Sequence, residues 1–441
     1  MEKKKAALHN LGCKVNAYET EAMQELLEKN GYEIVPFAPG ADLYVINTCS
    51  VTNIADRKSR QMLHKAKKMN PNAIVVAAGC YVQAAGEELL KDPAVDLVIG
   101  NNRKKDLIRI LEEYQSQERT GDGMADLGRG AEYEELHISH TAEHTRAYIK
   151  VQDGCNQFCS YCIIPYTRGR IRSRDPQDAL AEVRLLAEKG FREIVLTGIH
   201  LSSYGKDNGS SLLELLWLLH GVEGIDRIRL GSLEPRVITE EFVKAAAGME
   251  KLCPHFHLSL QSGCDATLRR MNRHYTAGEY YEKCQMLREV FDAPALTTDV
   301  IVGFPQETEE EFARTVEFLK KVSLYETHIF KYSRRQGTRA AQMEGQVPEQ
   351  VKNERSAVLI RLGQENKERY EAALTGTDRE VLFEEAQTLD GKPYFVGHTR
   401  EYVKIAVPGT ENLENRICRV AVNGERAAGM LTGSLIKKLV F

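Results

Sequence analysis

Between residues 5 and about 113, short apolar runs alternate with stretches of helical period: AALHN, NAYETEAMQELLEKNG, DLYVINT, IADRKSRQMLHKAKKM, AIVVAAG, DLVIG and RKKDLIRILEEY. Strand-length apolar runs that hand over to a 3.6-residue period, again and again, predict an open parallel α/β sheet over residues 1–114. Residues 115–145 are polar, contain glycine and show no period, so they read as a linker or a long surface excursion. Six further strand patterns follow, AYIKVQ, EIVLTG, RIRLGSL, HFHLSLQ, LTTDVIVGF and THIFKYS, separated by helical runs such as DALAEVRLLAEKG and EEFARTVEFLKKV. Six βα units in series predict a TIM-like barrel, whole or partial, over 146–373, with the charged helix 349–373 leading out of it. Over 374–441 the period shortens to REVLFEE, PYFVGHT, YVKIAV, RICRVAV and GMLTGSLI between Gly, Pro and Asn signals, which predicts a small five-stranded β-barrel.

Composition narrows the function classes. A chain of 441 residues can bury several cores, and 42% hydrophobic with 28% charged residues is ordinary for a globular protein. The net charge of -4 gives no overall basic footprint, so any contact with nucleic acid must come from local patches. MEKKKAALHNLGCK has no apolar signal region, and no run approaches the roughly eighteen apolar residues of a membrane span, so a cytoplasmic protein without a membrane partner is expected. In a reducing compartment ten cysteines are better candidates for metal ligands, reactive thiols or small buried residues than for disulfides.

Two groups of cysteines stand in patterned positions. Cys13, Cys49 and Cys80 each follow a predicted strand of the first sheet. Groups beyond the carboxyl ends of parallel strands share one edge, so the three can meet there; the alternative is three unrelated buried cysteines. Cys155, Cys159 and Cys162 form a C-x3-C-x2-C run in DGCNQFCSYCIIP, just past the first barrel strand. Three thiolates are one short of a closed zinc site and of a fully ligated four-iron cube, and no fourth ligand lies nearby. A cube held by three thiolates leaves one iron open to a small molecule. S-adenosylmethionine suits that position, because its amino and carboxylate groups chelate iron and its sulfonium accepts an electron.

With Tyr161 just before the last cysteine, this run on this architecture resembles the radical S-adenosylmethionine superfamily. The resemblance implies that the strand ends meet the cofactor: Gly198 and His200 in TGIH, which departs from the usual GGE, Ser232 and Glu234 in GSLEP, Gln261 and Ser262 in LQSG, and Asp299 and Gly303 in DVIVGFPQET. Each could equally be a polar residue capping the next helix. Along the whole chain, with CSYCIIPYTRGRIRSR and the small final barrel, the sequence is similar to the methylthiotransferases of that superfamily. The resemblance implies two four-iron clusters, the S-adenosylmethionine-binding one on Cys155, Cys159 and Cys162 and an auxiliary one on Cys13, Cys49 and Cys80. It implies a C-terminal RNA-binding barrel of the TRAM, OB-like type. LGCKVNAYETE at 11–21 looks like the branch that thiomethylates C2 of N6-threonylcarbamoyladenosine at position 37, in the anticodon loop of tRNA. The partners it implies are tRNA, a reductant such as flavodoxin or ferredoxin, and a sulfur donor.

Adenine C2 is neither acidic nor a good electrophile, so cofactor radical chemistry is the expected route. Local RNA contacts are expected from Arg168, Arg170, Arg172 and Arg174, which an extended RGRIRSR would place on one face, with pairing to carboxylates as the alternative for some of them. DRKSRQMLHKAKK at 56–68 is a basic helix that also reads as an ordinary solvated face. His137, His140 and His144 read as a chance polar grouping, and Cys253, Cys264, Cys284 and Cys418 as small buried residues. Two other classes remain in view at this point. An RNA-binding protein with structural clusters would not turn over S-adenosylmethionine, and an electron carrier would carry a fourth cysteine in the run. Within the enzyme class, the alternatives are the same chemistry on N6-isopentenyladenosine or on a ribosomal protein.

Overall fold

The computed structural model describes residues 3–116, 122–124, 127, 131–141 and 145–438. In the first domain, six parallel strands lie in the order β2-β1-β3-β4-β5-β6, namely β1 (Lys5–Asn10), β2 (Glu33–Ile34), β3 (Leu43–Thr48), β4 (Ile74–Gly79), β5 (Leu97–Ile99) and β6 (Asp122–Gly123). LYVINT is buried at all six positions because helices cover both faces of the sheet, which is why it reads as a continuous apolar run. The register pairs Asn10 with Asn47 and Thr48 with Gly79, so the three strand ends that precede the cysteines are aligned at one edge.

The barrel wall is built from β7 (Arg146–Asp153), a short antiparallel return β8 (Arg172–Ser173), β9 (Glu193–Gly198), β10 (Arg227–Leu230), β11 (His255–His257), β12 (Ala295–Val302) and β13 (Glu326–Lys331). It divides into a four-stranded sheet β10-β9-β7-β8 and a three-stranded sheet β11-β12-β13, bridged by isolated pairs at Ile228–Leu252 and Leu233–Leu258. The wall is therefore an open, six-unit parallel arc. Alternation sends Ala147, Ile149 and Val151 into the core under the helices and leaves Lys150 and Gln152 on the inner side. The last five strands, β14 (Asp378–Leu389), β15 (Lys392–Thr399), β16 (Lys404–Pro408), β17 (Ile417–Ala427) and β18 (Met430–Lys438), close into the expected barrel in the order β14-β15-β16-β18-β17.

The expected linker 115–145 is, over its described residues, bound to both neighbours. Asp122–Gly123 adds the sixth strand to the first sheet, and Leu136 and Ile138 are buried in the barrel core. Polar composition hid this because the segment is held mainly through its backbone: Tyr18 donates to the Leu136 carbonyl, Tyr133 to that of Lys150, and the Ile138 amide donates to Glu182 at 2.7 Å.

The first helix, Lys14–Lys29, is shared by two cores. Tyr18 and Ala22 pack into the barrel core, and Met23 and Leu27 into that of the first domain. Its Glu19 is fully buried and holds three cations, Lys104 at 2.9 Å, Lys150 at 2.8 Å and Arg168 at 2.9 Å. Asp153 shares two of these, Lys150 at 2.8 Å and Arg168 at 3.1 Å. Burial would raise the Glu19 carboxyl, but Arg168, Lys104 and Lys150 outweigh it and hold it well below the usual carboxylate range. Its contribution to stability is thus present above the ordinary carboxylate pKa and is lost as pH falls below it. Glu19→Gln keeps the shape and strands three buried cations, so a loss of about 3–5 kcal/mol is expected from urea denaturation. A loss below about 1 kcal/mol would show that water, not Glu19, balances these charges.

Candidate active site between two cysteine sets

The C-x3-C-x2-C loop leaves β7 through Gly154, whose φ is +70°. A Cβ there would lie 1.8 Å from the Arg170 carbonyl oxygen, so only glycine lets the loop close on the returning chain. The Cys155 amide donates to the Gly169 carbonyl at 3.0 Å, and the Ser160 amide to that of Met271 at 3.0 Å. Asn272 donates to the carbonyls of Gln157 at 3.2 Å and Phe158 at 3.0 Å. The three thiols are thereby held on a fixed loop at the carboxyl edge of the wall. Burial raises the Cys155 thiol to about 11, and it raises Cys162 as well. Arg273 stands 3.2 Å from the Cys159 sulfur and donates to the Tyr275 hydroxyl at 3.0 Å.

Across from this loop, Gly12 has φ +111°, and a Cβ on it would sit 3.0 Å from both Cβ and Sγ of Cys49. That close approach brings the Cys13 turn against Cys49. Cys80 receives Arg168 Nε at 3.2 Å and Asn101 Nδ2 at 3.6 Å. Burial pushes the Cys49 thiol up to about 11, with Cys80 and Cys13 among the groups acting on it. All ten cysteines are free thiols. Among the described residues, His257, Asp299 and His328 form a group whose ligand atoms all lie within 4.8 Å of one another. The donor chemistry of both trios, three free thiols with N–H groups directed at Cys80 and Cys159, fits an iron–sulfur cluster.

The other sequence candidates divide. His200 sits at the mouth: its amide donates to Gln152 Oε1 at 2.7 Å, Nδ1 is 2.6 Å from Ser203 Oγ, and Nε2 is buried without a partner. Gly198 lies against the same Gln152, 2.8 Å from a would-be Cβ to that side chain. Glu234 is buried, acts on Cys155 and pairs with Arg236 at 2.7 Å. Tyr161 packs edge-on to Phe304 with ring centroids 6.3 Å apart. Gln261, at φ +69°, receives the Ile301 amide and donates its own amide to the Asp299 carbonyl. The Asp299 carboxylate lies 3.3 Å from His257 Nε2 on the inner wall. Ser232 is exposed. Ser262 is fully buried between Thr315 and the Cys264 amide, and Gly303 is pressed against Lys352, so these two belong to the packing of the outer helices.

The expected arginine face does not form. Arg168, Arg172 and Arg174 are buried, and only Arg170 is exposed, stacked 4.6 Å over the Phe158 ring. Arg174 is taken by Glu182 and by Asp178 at 2.6 Å, and Arg172 by backbone carbonyls and Asp153. The reason is the antiparallel return of β8 beside β7: a buried guanidinium needs a carboxylate, and Glu19, Asp153 and Glu182 come from elsewhere in the chain. Sequence reading also missed Arg273, Gln152 and Arg335, the last bonded at 2.8 Å to Ser50, the residue after Cys49, and to Asp56. No local pattern marks them. His137 pairs with Asp178 and His140 with Glu28, while His144 lies outside the described residues. Cys253, Cys264, Cys284 and Cys418 are buried as expected. Among the described residues, no helix is long and apolar enough to cross a membrane.

Comparison with known proteins agrees with this layout. Residues 5–100 match Uncharacterized protein family UPF0004, and residues 149–319 match the Radical SAM superfamily. A Bacillus subtilis protein named threonylcarbamoyladenosine tRNA methylthiotransferase MtaB is 41% identical over 94% of this chain and 93% of its own length. Its Aquifex aeolicus namesake is 41% identical over 95% of this chain and 100% of its own. A Thermoanaerobacter tRNA-2-methylthio-N(6)-dimethylallyladenosine synthase is 35% identical over 98% and 92%. Among solved structures, the radical S-adenosylmethionine methyltransferase TsrM of Kitasatospora setae shares the fold at TM-score 0.57 and 15% identity over 75% of both chains.

Burial, with Arg273, Lys206 and Arg236, holds the His200 imidazole down at about 4. An unfolded His200 binds its proton near the ordinary histidine value and the folded one does not, so this group lowers stability as pH falls between the two. In the 13C-labelled imidazole spectrum its signal should stay neutral through pH 5, and His200→Gln should flatten that part of the stability profile. A midpoint near 6.5 would place the ring in open water instead.

Proposed function

The chain belongs to the radical S-adenosylmethionine methylthiotransferase family, and from that premise we propose that it replaces the C2 hydrogen of N6-threonylcarbamoyladenosine at position 37 of tRNA with a methylthio group. One four-iron cluster and S-adenosylmethionine come with the family. We assign that cluster to Cys155, Cys159 and Cys162, and a second to Cys13, Cys49 and Cys80. The observation that carries this assignment is the pair of three-thiol sets, each at the carboxyl edge of its own sheet, joined across the domain boundary by Arg168. Cys155, Cys159 and Cys162 would hold the cluster, which together with S-adenosylmethionine would supply the one-electron chemistry that replacing an unactivated C2–H needs.

The remaining roles belong to side chains. Arg273 directs an N–H at the Cys159 sulfur and offsets negative charge on the loop. Tyr161, with Phe304, covers the loop and excludes water. Glu234 offers a carboxylate to the amino group of the methionine moiety, and neutral His200 offers its free Nε2. Arg168 and Asn101 direct N–H groups at Cys80. Residues 1–114 carry the auxiliary set, 146–373 the radical chemistry and 374–441 a TRAM-type barrel that holds RNA, with 115–145 stitching the first two together.

Arg170 over Phe158 and Tyr166, 57% exposed, project from the cysteine loop as base-stacking surfaces for an anticodon loop. Exposed Arg57, Lys58, Arg60, Lys65 and Lys68 on the helix Asn53–Met69 supply phosphate contacts. Reductant, sulfur donor and a cytoplasmic setting follow from this chemistry on tRNA.

Anaerobic reconstitution should give about eight irons per chain, and about four in either Cys155→Ala or Cys13→Ala. Four irons in wild type would remove the auxiliary cluster from this reading. Nucleosides of cells lacking the protein should lose 2-methylthio-N6-threonylcarbamoyladenosine and accumulate its unthiolated precursor. Loss of the methylthio isopentenyl nucleoside instead would move the substrate to the other tRNA branch.

A further inference from the structure

Three side chains converge on the inner face of the sheet β11-β12-β13, the part of the wall that carries neither cysteine set. The register pairs His257 on β11 with Thr297 on β12, and Asp299 on β12 with His328 on β13. Thr297 and Asp299 are two residues apart, so strand alternation puts all four side chains on one face. Phe256, Leu296 and Val300 point the other way, into the core under the helices. The sequence holds the three residues in separate stretches, HFH, TTD and THIF, and strand pairing alone brings them together.

Their ligand atoms all lie within 4.8 Å of one another. His257 Nε2 is 3.3 Å from Asp299 Oδ2, and the His257 and His328 rings stack at 5.8 Å with planes 22° apart. Bonds of about 2.0–2.1 Å to a tetrahedral ion put neighbouring ligand atoms about 3.3 Å apart, the separation that His257 and Asp299 already have. The other ring nitrogen of His257, Nδ1, lies 3.0 Å from the hydroxyl of Thr297, which is 2% exposed. A hydrogen bond from Nδ1 to that hydroxyl fixes the ring and turns the Nε2 lone pair toward Asp299. Lone pair and carboxylate oxygen repel at that distance unless a cation lies between them. A metal-binding imidazole is ordinarily held in this way, with its second nitrogen donating to a protein oxygen. His328 is exposed, so its ring has room to turn onto the same ion. Glu326, the next residue of β13 on that face, is paired with Lys367 and stands outside the group.

We propose that His257, Asp299 and His328 bind one divalent first-row transition ion, zinc or iron(II). Two imidazoles and a single carboxylate suit those ions, whereas magnesium and calcium take oxygen donors. Three protein ligands leave at least one position open, and it faces away from the strands, toward the barrel interior. Beyond the triad the same face continues as Ile301 and Phe330, paired in register, with Phe330 49% exposed. The ion is thus a Lewis acid beside an apolar shelf, with room for an oxygen donor and for water when nothing else is bound. Asp299 becomes a metal ligand, not a contact to S-adenosylmethionine. The proposal does not depend on the substrate reading above.

The test uses the reconstituted full-length protein, treated anaerobically with EDTA to strip loosely held iron and then gel-filtered, with zinc as the probe. Equilibrium dialysis should give about one zinc per chain in addition to the cluster iron. His328→Ala and Asp299→Asn should each weaken zinc binding about tenfold or more with iron content unchanged. Thr297→Val removes only the outer hydrogen bond and should weaken it by about tenfold. Zinc K-edge absorption of wild type should show nitrogen and oxygen neighbours at about 2.0–2.1 Å. Sulfur neighbours at about 2.3 Å would put the zinc on cysteines and overturn the proposal without reference to any variant. Wild type that retains no zinc overturns it as well, and reduces the triad to a His257–Asp299 ion pair. So does zinc binding that His328→Ala and Asp299→Asn both keep at full strength.

Discussion

Glu19 and Asp153 carry two buried negative charges among Lys104, Lys150 and Arg168, and the position of everything else at the candidate site follows from that network. Glu19 and Lys104 belong to the first sheet domain, while Lys150, Asp153 and Arg168 belong to the barrel. Such a group tolerates little displacement, because separating any member leaves a charge in a medium of low dielectric. It therefore works as a register between the domains as well as a source of stability. Arg168 reaches Cys80 on one side, and its own chain segment closes the cysteine loop on the other through Gly169 and Cys155.

The network is not neutral in itself. Two carboxylates face three fully buried cations, with Arg172 a further 3.6 Å from Asp153. Arg168 carries part of that surplus to Cys80, with its Nε 3.2 Å from the sulfur. Arg273 stands in the corresponding place at Cys159, 3.2 Å from its sulfur. The protein thus places one guanidinium at each three-thiol set, from two unrelated places in the sequence.

The opposite end of the barrel is closed by a second buried ion group. Glu193 gathers Arg146, Arg227 and Arg229, and the C-terminal barrel enters it through Glu380, Glu384 and Tyr402, whose ring stacks with Arg229 at 4.7 Å and Arg146 at 5.0 Å. The small barrel is therefore seated on the amino-terminal edge of the wall. The exposed rim of Arg170 and Tyr166 stands on the cysteine loop at the opposite, carboxyl edge.

What the sequence determined by itself was whatever depends on period and spacing. Alternating apolar runs specified the parallel sheet, the six βα units and the small closed barrel, because strand and helix periods are local properties of the chain. The spacing of Cys155, Cys159 and Cys162, and the placement of Cys13, Cys49 and Cys80 after strands, were equally legible, since strand ends in a parallel sheet share an edge. Which charges meet was decided only by the tertiary structure. Arg168, Arg172 and Arg174 look like a solvent-facing cationic stripe in RGRIRSR, and they are buried because their carboxylates arrive from residues 19, 153 and 182. The segment 131–141 looks like a tether and is pinned through backbone groups that every polar sequence carries. Ser262 and Gly303 lie in motifs at strand ends, yet the helices carrying Thr315 and Lys352 claim them. Burial and ion pairing are pairwise properties of distant residues, and a one-dimensional pattern contains only one member of each pair.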